Sequence, residues 1–269
     1  MYSAIVVDML YTQTGFCDRL RLLTFGYTLA KLEQLPLYVV NWNVNEHCPY
    51  ELPLDLFKDF TILTNISENI NTLVFNSSPR SPVNYFFCLH FVKNHNNYFF
   101  CEQWRKSYSD IDLNKYCNVS LPDNTIGIHL RGTDYFYFRA HFNNIFKFAF
   151  YLIECYLRFF KPKNVYFATD DEKLILRFKT IVQNYGGNFI KSPHSFDTKK
   201  FRQTTLEALL FDICCLSQCK FILSNTFSGV AEMAANISRS SLRVVSLLHP
   251  RFLIFAIWFY MRKRFRFAM

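Results

Sequence analysis

The chain has 269 residues, of which 51% are apolar, 19% aromatic and 19% charged. This composition excludes an intrinsically disordered chain, and the low glycine count of 7 excludes collagen-like and linker-like sequences. The net charge of +9 favours an anionic partner such as a nucleotide, a nucleic acid or a membrane surface, unless it serves only solubility.

In the first half of the chain, short apolar runs alternate with segments of helical period. The run Ala4–Val7 predicts a strand and not a signal peptide, because no basic segment precedes it and the run is short. Residues 41–80 predict loops with short strands, such as Thr72–Phe75. The predicted elements of this half are Ala4–Val7, Phe16–Glu33, Leu37–Val40, Thr72–Phe75 and Asn84–Tyr108.

The second half alternates strands and helices more regularly. Its predicted elements are Thr125–Leu130, His141–Phe160, Asn164–Ala168, Asp170–Tyr185, Asn188–Ile190, Thr204–Ser217, Lys220–Leu223, Phe227–Asn236 and Arg243–Ser246. Such alternation predicts an α/β fold with parallel sheets covered on both faces. A division near residues 105–123 predicts two domains that face each other across a cleft.

The C-terminus and the cysteines bear on location. The run Phe252–Met261 is too short to cross a bilayer and has arginines on both sides. Residues 250–269 therefore predict a basic, aromatic helix packed on the body, with a membrane-surface contact as the alternative. The chain has nine cysteines at irregular spacing and no C-x-x-C pair, which predicts reduced thiols in a core and no metal site. Reduced thiols in turn predict a cytoplasmic protein that is at most peripherally attached to a membrane.

The strand that ends at Leu130 is followed by residues suited to an anion. The Arg131 guanidinium offers a bidentate fork for phosphate oxygens, and Gly132 lets the backbone come close to a ligand. The alternative to phosphate binding is that Arg131 only pairs with Asp134 at the surface, across a turn.

Two later strand ends also carry polar residues. After Ala168, Asp171 and Glu172 predict capping of the next helix, with Thr169 or Asp170 as its N-cap residue and Asp170 as a candidate site residue. The run Ser224–Gly229 predicts an anion site at a helix N-terminus, or only a cap. If these strands are neighbours, Arg131 and that helix start would hold a diphosphate between them.

Four blocks resemble motifs of the fucosyltransferase superfamily, in the same order. The run His129–Asp134 resembles its H-x-R signature, and Gly15–Arg21 is similar to its G-x-G-N-R-L-R loop. The run Tyr166–Asp171 resembles its ATDD strand end, and Asp212–Ser217 with Ser224–Ser228 resembles its D-x-x-x-L-S and S-x-F-S block. The blocks span roughly residues 5 to 237.

The resemblance implies a GT-B-like fold of two Rossmann-type domains, with an abbreviated acceptor-side domain at 1–115 and a nucleotide-sugar domain at 122–249. It implies inverting transfer of L-fucose from GDP-fucose to a glycan hydroxyl, without a metal or other cofactor. Arg131 would hold the β-phosphate, and His129 and Asp212 would lie near the guanine. The other donor-binding residues would be Gly15, Arg19, Asp170, Ser224, Thr226, Phe227 and Ser228.

Some features depart from the family pattern. Cys17 and Asp18 replace a glycine and an asparagine of the first loop, and Gly132 stands where many relatives carry a second arginine. Arg131 and Asp134 are the predicted catalytic residues, although Asp8 and Glu46 also remain candidates for the base. The alternatives are a non-catalytic GDP-sugar or glycan-binding relative and, less well supported, a nucleic-acid-binding protein; no nucleic acid partner is expected for the transferase.

Overall fold

The structure is a computed structural model, and it divides into two compact units, Met1–Lys115 and Tyr116–Met269. Each unit contains one parallel β-sheet, which confirms the predicted α/β class. The residues that the structure describes are 3–9, 15–45, 48–58, 60–65, 72–76, 97–113, 115–132, 149–193, 204–224, 228–238 and 243–246.

Unit 1 contains a four-stranded sheet in the order β3-β2-β1-β4. Its elements are β1 (Ala4–Asp8), α1 (Phe16–Glu33), β2 (Leu37–Val40), β3 (Ile62–Leu63), β4 (Thr72–Asn76) and α2 (Asn97–Ser107), with a short 3-10 turn at Tyr108–Asp110. The strand order reverses beside β1, because β2 and β3 lie on one side of it and β4 on the other.

Helix α1 lies directly against the sheet of unit 1. Residues on all sides of the helix are buried, as expected for a helix that is apolar around most of its circumference. A Cβ atom at Gly26 would lie 2.4 Å from Cγ2 of Val7, so glycine at this position permits the close approach of α1 to β1. The helix ends where Gln34 adopts a left-handed conformation with φ of 56°.

Unit 2 contains a five-stranded sheet in the order β7-β6-β5-β8-β9, again with all strands parallel. Its elements are β5 (Ile126–Leu130), α3 (residues 149–160), β6 (Asn164–Thr169), α4 (Glu172–Asn184), β7 (Asn188–Lys191), α5 (Leu206–Ser217), β8 (Phe221–Ser224), α6 (Gly229–Ile237) and β9 (Arg243–Ser246).

The central strands of unit 2 are buried on both faces. On one face, Ile128 and Phe167 pack in a core with Leu157 and Phe178 from α3 and α4. On the other face, a Cβ atom at Gly127 would lie 2.9 Å from Cδ2 of Leu216, so α5 packs close to β5. Burial on both faces explains why these strands read as continuous apolar runs in the sequence.

Most predicted elements agree with the structure within one or two residues, and helices α4 and α6 of unit 2 begin two residues later than predicted. Helix α4 has Asp171 as its N-cap residue, not Thr169 or Asp170, and α6 begins at Gly229 after the N-cap residue Ser228. The predicted segments 84–96, 141–148 and 250–269 lie outside the described residues.

The cysteines and the helix lengths bear on the remaining sequence expectations. Seven cysteines are free thiols, and five of these are buried; the seven are Cys17, Cys48, Cys117, Cys155, Cys214, Cys215 and Cys219. None of the helices in the described ranges combines the length and the apolar character needed to cross a membrane.

Candidate functional site

The candidate site lies where the strand order of unit 2 reverses. Strands β6 and β7 follow β5 on one side, whereas β8 and β9 lie on its other side, so the reversal falls between β5 and β8. His129 of β5 is paired in register with Ser224 of β8. In open parallel sheets this reversal, at the carboxyl ends of the strands, is where ligands bind. Strands β5 and β8 are therefore neighbours, as required if Arg131 and the start of the helix after β8 hold a diphosphate between them.

Acidic residues after β6 hold the backbone that follows β5. The amide of Gly132 donates a hydrogen bond of 2.5 Å to Oδ1 of Asp170. Asp171 instead caps α4, because its Oδ1 accepts from the amide of Lys173 at 2.9 Å. Asp170 thereby fixes the position of the residue that immediately follows Arg131.

Gly132 lies too close to Asp171 to carry a side chain. A Cβ atom at this position would lie 2.4 Å from Cβ of Asp171 and 3.0 Å from its Oδ2. Contacts of this kind force neighbouring atoms to move, and Cβ of Asp171 is fixed to the backbone. The packing of this turn thus explains why position 132 is a glycine and not the second arginine of many relatives.

His129 has a buried ring nitrogen beside the turn. The residue is 7% exposed, and its buried Nδ1 has no hydrogen-bond partner within the part of the chain that the structure describes. Burial lowers the pKa of His129 to about 4; the nearby Asp170 opposes this shift and Arg131 adds to it. The imidazole is therefore neutral at pH 7 and can hydrogen-bond a ligand.

The remaining groups at this edge come from Arg131 and the start of α6. Arg131 is half-buried, whereas Ser224 and Ser228 are buried. Ser228 is the N-cap residue of α6, and its side chain makes no capping hydrogen bond within the described residues. The N-terminus of α6 adds partial positive charge at the same edge.

Asp212, on α5, is buried beneath β6. Its Oδ1 accepts a hydrogen bond of 2.5 Å from Oη of Tyr166. Burial raises the pKa of Asp212 to about 7, although the bond from Tyr166 and the charge of Lys191 act in the opposite direction. The contact of Asp212 with guanine remains a prediction.

We expect Asp212 to make folding stability depend on pH. Because its folded-state pKa of about 7 lies above the ordinary value of 3.8, the native state binds this proton more tightly than the unfolded state does. This contribution to stability is complete below about pH 4 and is lost as the pH rises through 7. Asp212→Asn keeps an acceptor for the hydroxyl of Tyr166 but cannot titrate. Its free energy of unfolding should therefore fall by up to ~4 kcal/mol less than that of the parent as the pH rises.

Denaturant unfolding of both proteins from pH 4 to pH 8 would measure this difference. His129, whose folded-state pKa is depressed, contributes stability that rises over the same range, so only the comparison of variant and parent isolates Asp212. If the free energy of unfolding varied with pH in the same way for both proteins, the raised pKa of buried Asp212 would be contradicted.

In unit 1, the predicted loop residues Gly15 and Arg19 lie at the start of α1. The carbonyl of Gly15 accepts from the amides of Asp18 and Arg19 at 3.1 and 3.2 Å. The Arg19 guanidinium is buried, lies 5.2 Å from the ring centre of Trp42, and donates to the carbonyl of Asn43 at 2.7 Å. Burial lowers the pKa of Arg19. These contacts attach the segment after β2 to α1; binding of diphosphate by Gly15 and Arg19 remains a prediction.

The departure at Asp18 is locally compensated. Its Oδ1 lies 3.2 Å from Nη1 of Arg21, one turn along α1. Among the candidate bases, Asp8 accepts from the side-chain amide of Asn41 at 2.9 Å. Four sequence-predicted residues lie outside the described ranges, namely Glu46, Asp134, Thr226 and Phe227.

The sequence did not predict two contacts at the candidate site. Tyr166 was not predicted to hold Asp212, although a tyrosine in a buried strand needs a partner for its hydroxyl. Asp171 was predicted only as a capping residue, and its packing against Gly132 joins elements 39 residues apart in the chain, beyond the reach of local patterns.

No protein-family profile and no curated protein sequence matches the chain. Solved structures do match in fold. NodZ α-1,6-fucosyltransferase soaked with GDP-fucose has a TM-score of 0.51 at 12% identity, over 93% of this chain and 96% of that one. Fucosyltransferase NodZ from Bradyrhizobium has a TM-score of 0.50 at 12% identity, over 93% and 97% of the two chains.

POFUT1 in complex with GDP has a TM-score of 0.51 at 9% identity, over 91% of this chain and 98% of that one. The chain therefore has the fold of solved fucosyltransferase structures, which confirms the GT-B-type fold that the motif resemblance predicts.

Proposed function

We propose that this protein is a fucosyltransferase that transfers L-fucose from GDP-fucose to a glycan hydroxyl. One observation carries the proposal. Arg131, the buried Nδ1 of His129, which has no hydrogen-bond partner among the described residues, and the start of α6 lie at the strand-order reversal of unit 2, in a chain whose fold is shared with structures soaked with GDP-fucose or in complex with GDP. The structure supplies cationic and neutral donor groups there, and a nucleoside diphosphate needs such groups.

In the proposed reaction the acceptor oxygen attacks the anomeric carbon of fucose from the face opposite GDP. The bond between that carbon and the β-phosphate oxygen breaks, and its electron pair leaves with GDP. The hydroxyl proton passes to a base, for which Asp134, Asp8 and Glu46 remain the candidates. Arg131 and the N-terminus of α6 stabilise the charge that develops on the departing diphosphate.

The proposed reaction needs no metal ion, because Arg131 and α6 provide positive charge where the leaving group develops its own. Within the described residues, no three His, Cys, Asp or Glu side chains form a group suited to a metal ion. Independence from metal remains a prediction, and retention of turnover in the presence of EDTA would support it.

A non-catalytic GDP-sugar-binding protein is the second candidate. The observation that favours it is Asp18, a carboxylate in the loop where the family carries asparagine; its ion pair with Arg21 reduces its effect on a nearby phosphate.

We expect GDP and GDP-fucose to raise the melting temperature of the protein, whereas UDP-sugars leave it unchanged. A ligand present at 100 times its Kd stabilises the folded state by about 2.7 kcal/mol, which is readily seen in a thermal melt. Release of GDP from GDP-fucose, measured with and without candidate glycans, separates the enzyme from the non-catalytic binder. Absence of stabilisation by any GDP-sugar would contradict both candidates.

A further inference from the structure

The C-terminal end of α3 exposes two adjacent aromatic rings. Phe159 is 60% exposed and Phe160 is 50% exposed, and their ring centres lie 4.9 Å apart. The other large apolar side chains found exposed in the described part of the chain, such as Leu54 and Leu176, are aliphatic, apart from Tyr151. Adjacent exposed aromatic rings leave apolar surface in water that a partner would remove.

The fold holds these rings in place. The amide of Lys161 donates to the carbonyl of Leu157 at 2.9 Å, and Lys161 ends the helix in a left-handed conformation with φ of 45°. Phe160 packs on Tyr156 with ring centres 4.6 Å apart, and Tyr156 contacts Phe221 at 6.1 Å. The rings are thus fixed near the first residue of β8.

This position lies at the amino edge of the sheet, opposite the candidate site. Helix α3 leads into the first residue of β6, whereas Arg131 and Ser224 follow or end strands at the carboxyl edge. The surface is therefore separate from the nucleotide-sugar site, and an inference about it does not depend on the proposed function.

Exposed basic residues flank the two rings in the chain and precede β8 at the same edge of the sheet. No Asp or Glu occurs between Glu154 and Asp170, and Lys220 immediately precedes Phe221. Asp123, exposed before β5, is an acid at the same edge. We call the following exposed residues the α3-end patch: Arg158, Phe159, Phe160, Lys161, Lys163 and Lys220.

We propose that the α3-end patch docks on an anionic lipid surface. Phenylalanine rings have no hydrogen-bonding groups and can enter the boundary between headgroups and acyl chains, while flanking lysine and arginine residues bind anionic headgroups. A symmetric dimer through the same surface would place four cations of one copy against those of the other. The charge of the patch thus favours an anionic lipid partner over a second copy of the chain.

Vesicle flotation with the full-length protein tests the proposal. We expect binding to phosphatidylcholine vesicles that contain phosphatidylserine, and weak binding to phosphatidylcholine alone. The double variant Phe159→Ala/Phe160→Ala should bind at least about tenfold more weakly, because each ring loses an apolar contact. The triple variant Arg158→Gln/Lys163→Gln/Lys220→Gln should lose about fivefold per cation.

Matched controls carry the same chemical changes elsewhere. Leu176→Ala removes an exposed apolar side chain from α4, and Lys58→Gln/Lys173→Gln/Lys179→Gln removes three exposed charges outside the patch. Both controls should bind vesicles as the parent does. Thermal melts confirm that every variant is folded.

Four results would overturn the proposal. The first is a parent protein that does not bind anionic vesicles. The second is equal binding by parent and patch variants, which would assign the membrane contact to another part of the chain. The third is a loss of vesicle binding by the Lys58→Gln/Lys173→Gln/Lys179→Gln control as large as that of the triple variant of the patch. The fourth is a patch that mediates self-association or RNA binding in place of vesicle binding.

Discussion

Replacement of Arg131 by alanine is expected to lower GDP-fucose turnover by about 100-fold or more, because one preorganised charged donor at a leaving group contributes this much to many reactions. Arg131 directly follows the central strand and lies at the strand-order reversal. Binding of GDP should weaken as well, since the guanidinium is proposed to contact the β-phosphate of product and substrate.

Arg131→Lys provides the matched comparison. Lysine keeps the positive charge but lacks the planar, bidentate fork, so its turnover should fall between those of the parent and the alanine variant. Arg105→Ala, which removes an exposed arginine from α2, should retain full turnover. A folded Arg131→Ala protein with near-normal GDP-fucose turnover would refute the proposed role of Arg131.

Gly132→Ala is expected to have the second largest effect, a loss of about 100-fold in turnover through displacement of Arg131. The added methyl group would lie 2.4 Å from Cβ of Asp171, so the turn after β5 must move. It would also disturb the hydrogen bond from the amide of Gly132 to Asp170. A displacement of about 1 Å at a catalytic group can reduce a rate by this factor.

A second substitution tests whether this packing contact is the cause. Asp171→Gly removes the Cβ atom that the new methyl group would meet, and glycine is tolerated at an N-cap position. The double variant Gly132→Ala/Asp171→Gly should therefore recover most of the turnover that Gly132→Ala loses. Equal activity of the single and double variants would show that the loss has another origin.

Much of the fold follows from local sequence patterns. The alternation of apolar runs and helical periods predicted the order of the described elements, and their ends mostly agree within two residues. The helix starts were less predictable, because several neighbouring polar residues can serve as the N-cap residue. Thr169, Asp170 and Asp171 all have suitable side chains, and only the backbone path selects Asp171.

Local sequence patterns identified candidate site residues, whose roles stay predictions, but did not give their arrangement. The sequence alone showed that Arg131, Asp170 and Ser224 follow or end strands. It did not show that β8 lies beside β5, that the amide of Gly132 bonds to Asp170, or that Tyr166 holds Asp212.

The sequence by itself determined the α/β class, the element order and the polar residues at the strand ends, because apolar periodicity and turn residues act within a few positions of the chain. Only the tertiary structure decided the strand order, the burial of His129 and the exposure of Phe159 and Phe160. These features depend on which distant segments pack together, and burial and hydrogen bonding between such segments leave no periodic trace in the sequence.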